Sequence, residues 1–330
     1  MRLPDSSHPR TARIALNVTL ALLLISTPLL SQDIGFENAR LVDPATREIH
    51  EGAILVRNGV IVAVKSALPS GFAGTRVDLE GRWVIPGLVD MHTHSFGNGG
   101  PGGPPQMMGV GGVARVALYA GVMAFLDLFS PEDQILQFRN SQRAEHDVGA
   151  TVFAAGPCLK TVVHVGTWDD LREAVLAGAA AVTHTPGSAQ MPTDLPRLMA
   201  ENGTAHIPTL AVQGDFARFV DDYSMLDDAL LNAVTTEALL GGYKVALEGG
   251  SPLVGWLDMQ RANVQTNQKD VRALAASGVM MLTGTDGGNV GVFQGFSVQR
   301  EMELLVEAGL SEWDALRAAT TNAATFLDQP

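Results

Sequence analysis

"TVVHVGTWDDLREAVLAGAAAVTHT" (Thr161–Thr185) reads as strand, helix, strand. The β-branched run Thr161–Gly166 has strand composition, "TWDDLREAVLAG" is a helix closed by Gly178, and "AAAVTHT" returns as a strand. A histidine stands at the end of each strand, His164 and His184. The same alternation continues in both directions. Further strands are expected at Val84–Met91 (interrupted by Pro86-Gly87), Val122–Phe129, Ala150–Gly156, Ala205–Val212 and Gly278–Gly288. Helices are expected at Val113–Tyr119, Pro131–Arg143 and Thr193–Gly203. A long helical region covers Asp222–Ala276, and two more helices, Ser297–Ala308 and Ser311–Leu327, end the chain. Strands that alternate with helices call for a parallel sheet with helical crossovers. About eight such units in ~250 residues is the size of a TIM-like (β/α)8 barrel. Functional residues of that barrel sit at the C-terminal ends of its strands, where His94, Asp127, His164, His184 and Asp286 all fall.

Ahead of this α/β region, "GAILVRNGVIVAV" (Gly52–Val64) reads as a β-hairpin with Asn58-Gly59 at its turn. The expected organisation is a leader over 1–32, a small β-sandwich portion over 33–84 and a barrel over 85–330. The leader has Arg2, Arg10 and Arg13 against Asp5, then an apolar run that ends in small residues near Ser31. That is the layout of a secretory signal peptide, so a periplasmic or secreted protein is expected. An uncleaved membrane anchor is the alternative, although Asn17, Thr19 and Pro28 interrupt a run already short for a span of ~20 residues.

The formal charge is −13, and −15 once the leader's three positive charges and one negative are removed. An acidic chain excludes nucleic acid and anionic membrane surfaces as partners, because both require a basic face. The single cysteine, Cys158, excludes an internal disulfide and a cysteine-rich zinc site. A metal would therefore be held by His, Asp, Glu or Lys. "IPGLVDMHTHSF" (Ile85–Phe96) carries His92 and His94 at i and i+2. On a strand these point to one face, so both imidazoles can reach one ion.

"NARLVDPATREIHEGAILVRNGVIVAVKS", "VIPGLVDMHTHS", "VVHVGTWDDLREAVLAGAAAVTHT", "PTL", "LTGTDGG" and "EMELLVEAGLSEWDALRAATTNAATFL" together resemble the amidohydrolase superfamily. The resemblance is to its imidazolonepropionase-like and Xaa-Pro dipeptidase-like branch, and it runs in order from Asn38 to Leu327. It implies a metal-dependent hydrolase of a C–N bond (amide, cyclic amide or peptide) with a flanking β-sandwich and a small-molecule substrate. By that resemblance His92, His94, His164, His184 and Asp286 are metal ligands. Asp286 would move a proton from water to the departing nitrogen, and His184 would bind a second ion or polarise the carbonyl. Zn²⁺ is the expected ion. His92, His94, His164 and Asp286 make a four-ligand set that favours one ion and leaves room for two.

Two departures from the pattern shape the expectations. Only Pro157–Lys160 separate the strand at Ala150–Gly156 from the next, whereas a parallel crossover needs a dozen residues or more. Strand four, with its bridging lysine, is therefore expected to be missing and the barrel incomplete. Lys160 precedes the His164 strand and is read as a loop lysine rather than a ligand. The resemblance also implies sandwich strands beyond Leu327, where this sequence ends at Pro330, so exposed sheet edges would allow a homo-oligomer. Gln299 stands where relatives often carry histidine. These departures motivate a second reading, a catalytically impaired binding or assembly relative.

The remaining candidates are bland. His206 begins a strand and is read as structural, His8 lies in the leader, and His50 and His146 sit in solvated turns. Asp127 is read either as a partner to a ligand histidine or as a cap of the next loop. "GNGGPGGPPQ" lacks the lysine and serine or threonine of a phosphate loop and suits a lid.

Overall fold

The computed structural model describes residues 33–100, 106–154, 160–187, 189–214, 222–249 and 254–329, the last segment without side chains over 254–260. The leader, Cys158 and the centre of the glycine-rich loop lie outside the described residues. The chain divides into two compact units, one of residues 33–39 and 51–82 and one of 40–50 and 83–329.

The first unit centres on a sheet. β1 (Ile34–Asp43), β2 (Glu48–Arg57), β3 (Val60–Lys65) and β4 (Thr75–Asp78) take the order β3-β2-β1-β4. β2 and β3 form the expected hairpin, with Arg57 opposite Val60. Asn58 and Gly59 both hold positive φ, 52° and 74°. A two-residue turn of that hand matches the twist of the flanking strands, and asparagine-glycine is the pair that tolerates it. Asp33 takes the guanidinium of Arg57 on both its oxygens.

In the second unit, β5 (Trp83–Val84) precedes the break at Pro86-Gly87, and β6 (Leu88–Thr93) follows it, buried at every position. β7 (Gly97–Asn98) and β8 (Gln106–Met107) pair antiparallel at the two ends of the glycine-rich loop. β9 (Val122–Asp127) and β10 (Thr151–Ala154) lie parallel to β6 in the order β10-β9-β6. β11 (Val162–His164), β12 (Ala181–Thr183) and β13 (Ala205–Ile207) form a second parallel group in that order.

The segment expected as a strand at Gly278–Gly288 joins the two groups without being a regular strand itself. It makes isolated bridges, Thr93 to Gly287 and His206 to Met281. Met91 N donates to Thr283 O on one side and Leu282 N to His206 O on the other. Gly284 lies so close to its neighbours that a Cβ there would meet Ile207 Cγ2 at 2.4 Å and the His92 backbone N at 2.9 Å.

Helices cover this layer. α1 (Gly109–Tyr119) and α2 (Glu132–Arg143) flank β9 and β10, and their apolar faces meet around Phe125, Val152 and Ile135. α3 (Trp168–Leu176) starts with a reciprocal cap. Thr167 accepts from Asp170 N at 3.1 Å, and Asp170 accepts from Thr167 N at 2.9 Å. α4 (Leu195–Asn202) ends at Gly203, whose φ is 67°. The long helical region resolves into pieces, α5 (Ala229–Val234), α6 (Glu237–Glu248) and α7 (Val254–Ala276). α8 (Phe296–Glu307) follows as expected, but the last expected helix is two, α9 (Glu312–Ala318) and α10 (Thr321–Phe326). The break has a physical cause. The carbonyls of Ala318 and Ala319 accept from Thr283 N and Val89 N, and so serve the sheet. Beyond it, α10 sets Ala323 and Phe326 against Val89, Leu126 and Leu282.

Seven parallel segments thus follow one another, β10-β9-β6, the 281–287 segment, then β13-β12-β11. Among the described residues they do not close into a barrel. Among the described residues β10 and β11 are not paired with each other. Between them lies a cavity of about 870 Å³, lined by residues that include Val152, Ala154, Val162 and Phe326. Lys160 sits at that opening and donates to Phe326 O at 2.6 Å and Asp328 Oδ1 at 2.9 Å, a structural contact at the end of α10.

Candidate metal centre

His92 lies in β6 and His94 one residue past its end, so the strand's period brings both rings to one side. Asp286 is the penultimate residue of the 281–287 segment, beside β6. Its Oδ1 lies 2.7 Å from His94 Nε2 and 3.2 Å from His92 Nε2. The three ligand atoms fall within 4.8 Å of one another. Tetrahedral ligands at about 2.0–2.1 Å from zinc stand roughly 3.3 Å apart, close to the His92–Asp286 distance. Asp286 Oδ1 and His94 Nδ1 are both buried, and neither has a well-directed hydrogen bond. Two nitrogens and one carboxylate oxygen that converge in this way fit a divalent ion as well as they fit each other.

The neighbours hold this geometry. Thr183 Oγ1 lies 2.5 Å from His92 Nδ1 and fixes that ring. Asp90, fully buried one turn of the pleat below, accepts from His92 N, Thr285 N and Thr285 Oγ1, which ties β6 to the segment that carries Asp286. Burial pushes the Asp90 carboxyl up to about 7, against those hydrogen bonds. Burial also pushes Asp286 up, but the pull of His92 and His94 outweighs it and holds the carboxyl well below the usual range. His92 is pushed down, first by burial, against the attraction of Asp286. A neutral imidazole beside an ionised carboxylate is the protonation state that metal ligation requires.

His184 follows β12, and its ring centroid lies 5.0 Å from that of His92. Burial, aided by His92, pushes its imidazole down to about 3. Its Nδ1 lies 2.7 Å from Thr209 Oγ1 and its Nε2 2.9 Å from His164 Nδ1. His164, at the end of β11, is exposed and meets His184 rather than the triad. The five residues therefore form a triad and an adjoining pair. His184, Thr209 and Asp286 all hold positive φ, at 75°, 53° and 61°. Such strain in non-glycine residues persists where the surroundings over-determine it, and it clusters at functional sites.

The remaining candidates take structural roles. Asp127 contacts Ser95, Phe129 N and Ser130 N, so it caps loops. His206 is fully buried in β13, with Nε2 3.1 Å from Thr185 Oγ1. Gln299 donates to Ala120 O at the end of α1.

Several positioning groups escaped the sequence reading. Gln294 donates to the carbonyls of His94 and Gly97. The Tyr243 hydroxyl bridges Gly99 O and Gly291 N. Glu301, buried on α8, accepts from Leu210 N and Ala211 N. Of these, Glu301 alone left a signal, a charge at helical spacing from Val298 and Leu305 on an apolar face.

No family model matches the chain. It is similar to an adenine deaminase of Desulfatibacillum aliphaticivorans, 40% identical over 62 residues, 19% of this chain and 10% of that protein. It is also similar to an imidazolonepropionase of Pseudomonas paraeruginosa, 36% identical over 80 residues, 23% of this chain and 20% of that protein. The matched segments thus span a tenth to a fifth of those relatives. Among solved structures, a Xaa-Pro dipeptidase aligns with a TM-score of 0.66 at 16% identity, covering 90% of this chain and 89% of the other. That likeness shows a shared α/β fold.

Proposed function

We propose that this chain, whose matched segments and fold support membership of the amidohydrolase superfamily, hydrolyses a C–N bond with the help of a divalent metal ion. The observation that carries the reading is the convergence of His92, His94 and Asp286 about a buried carboxylate oxygen that has no directed hydrogen bond. The donor set lacks sulfur and suits Zn²⁺. When bound, such an ion lowers the pKa of water and polarises a carbonyl oxygen. The His164–His184 pair gives the second ion its place if two are bound.

The chain's own residues supply the rest. Asp286, ionised at neutral pH, accepts a proton from attacking water and delivers it to the departing nitrogen. His184, held neutral by burial and oriented by Thr209, would polarise the substrate carbonyl through Nε2 once that atom parts from His164. Thr183 and Asp90 keep His92 and the Asp286 segment in register. Small neutral amides, N-acyl amino acids, cyclic amides and dipeptides are the substrate classes to assay. The composition of residues 1–32 supports a periplasmic or secreted location, with an uncleaved membrane anchor as the alternative.

Metal analysis of purified full-length protein tests the reading, together with hydrolysis of a panel drawn from those four classes. About one equivalent of Zn²⁺ and turnover abolished by Asp286→Asn are expected. Folded protein that neither carries nor takes up a divalent ion would sink it. Among the described residues the open order of strands between β10 and β11 favours a second reading, a catalytically impaired binding or assembly relative. Stoichiometric metal without turnover on any panel member would select that one.

A further inference from the structure

Beside the triad stands an aromatic pair that no step above uses. Phe96 follows His94 by two residues, and the two rings stack with centroids 6.1 Å apart. Phe129, just past the end of β9, meets His94 edge-on at 5.4 Å and Phe96 at 6.2 Å. Phe129 is 73% exposed, an unusual setting for a phenylalanine that touches a buried polar centre. Water covers one side of this ring, and a candidate metal ligand lies against the other.

The pair is also fixed in place. Asp127 accepts from Ser95 N through one oxygen and from Phe129 N and Ser130 N through the other. Its contact with the Ser95 hydroxyl adds a fourth tie. One carboxylate thus clamps the residue before Phe96 and the backbone of Phe129 itself. One tie falls on Phe129 itself and three on the residues that flank the two rings, so both rings stand on fixed backbone. A preformed ledge for an apolar group explains both the exposure and the clamp.

We propose that Phe96 and Phe129 form the specificity ledge of this site, and that its ligands carry an aromatic or branched aliphatic group next to the scissile C–N bond. This rests on the hydrolase reading for the position of that bond. Because His94 touches both the ledge and Asp286, an apolar group on the ledge places the neighbouring carbonyl at the triad. Polar and acidic groups at that position lose the ring contact and gain nothing in exchange.

The test measures binding, so it does not depend on turnover. Affinities of N-acetylphenylalanine amide and N-acetylserine amide are measured by ligand-observed NMR. The proteins are the full chain, Phe129→Leu and Phe129→Ser, with metal content determined on the same samples. Phe129 is exposed, so both variants are expected to fold, which thermal melts will verify. The expected result is a preference of about tenfold or more for the phenylalanine amide, kept in Phe129→Leu and lost in Phe129→Ser. Equal affinities in the native chain, or a preference untouched by Phe129→Ser, overturn the ledge and leave the hydrolase reading intact. The same preference in folded protein that takes up no metal supports the ledge and removes the hydrolase reading alone.

Discussion

The Thr209 hydroxyl lies 2.7 Å from Nδ1 of His184, and both residues hold left-handed backbone conformations. At the two residues after Thr209 the chain is pinned by a carboxylate from α8. Glu301 Oε1 and Oε2 take the N–H groups of Leu210 and Ala211 at 2.9 and 2.7 Å. Glu301 therefore positions Thr209, and Thr209 orients His184. Glu301→Ala leaves two buried donors without an acceptor and should cost about 2–4 kcal/mol in denaturant unfolding. Glu301→Gln keeps one acceptor and should lose roughly half as much.

The triad and the histidine pair should respond differently to substitution. His94→Ala removes a converging nitrogen and Asp286→Asn replaces the charged carboxylate by a neutral amide, and each should lower the metal content of purified protein well below one equivalent. His164→Ala removes a group that contacts only the neighbouring histidine among the candidate ligands, and should leave one equivalent in place. Elemental analysis of the three variants decides the matter.

Gly284 has no room for a side chain. Gly284→Ala would press a methyl against Ile207 and His92, with an expected cost of about 1–3 kcal/mol. Because His92 is one of the two residues struck, metal affinity should fall along with the melting temperature. A variant that melts normally and binds metal normally would contradict the close approach.

Asp270 carries a pH dependence of its own. Burial pushes its carboxyl up to about 6, against the neighbouring charge of Lys269, and Oδ2 has no hydrogen-bond partner. A raised folded-state pKa favours the fold while the group is protonated, below about pH 4, and that contribution is lost as pH rises through 6. Asp270→Asn should therefore melt higher than the native protein at pH 8 and equal to it near pH 4. Thermal melts across that range read the difference directly.

What was legible in the sequence follows from how local each signal is. The β12-side unit was clear because its helix begins with a threonine–aspartate box and ends at a positive-φ glycine. The hairpin was clear because asparagine-glycine requires one turn geometry. The segment that carries Asp286 read as a strand, yet its hydrogen bonds go alternately to β6 and β13 and never form a continuous ladder. The split between α9 and α10 was hidden for a related reason, since Ala318 and Ala319 serve partners more than 30 residues away in the chain. The strand-end positions of the five candidates were legible, but their division into a triad and a pair was not. Spacing places a histidine at a strand end, and only the sheet order decides which strand end faces which.

The left-handed backbone at His184, Thr209 and Asp286 sets a price on keeping those side chains. Each position would be more comfortable as glycine, by on the order of 1 kcal/mol. A selection for thermal robustness alone should therefore drift toward His184→Gly and Asp286→Gly, and the proposed metal site would be lost as the protein hardened. The positions where backbone comfort and the proposed site pull in opposite directions are thus written into the dihedral angles.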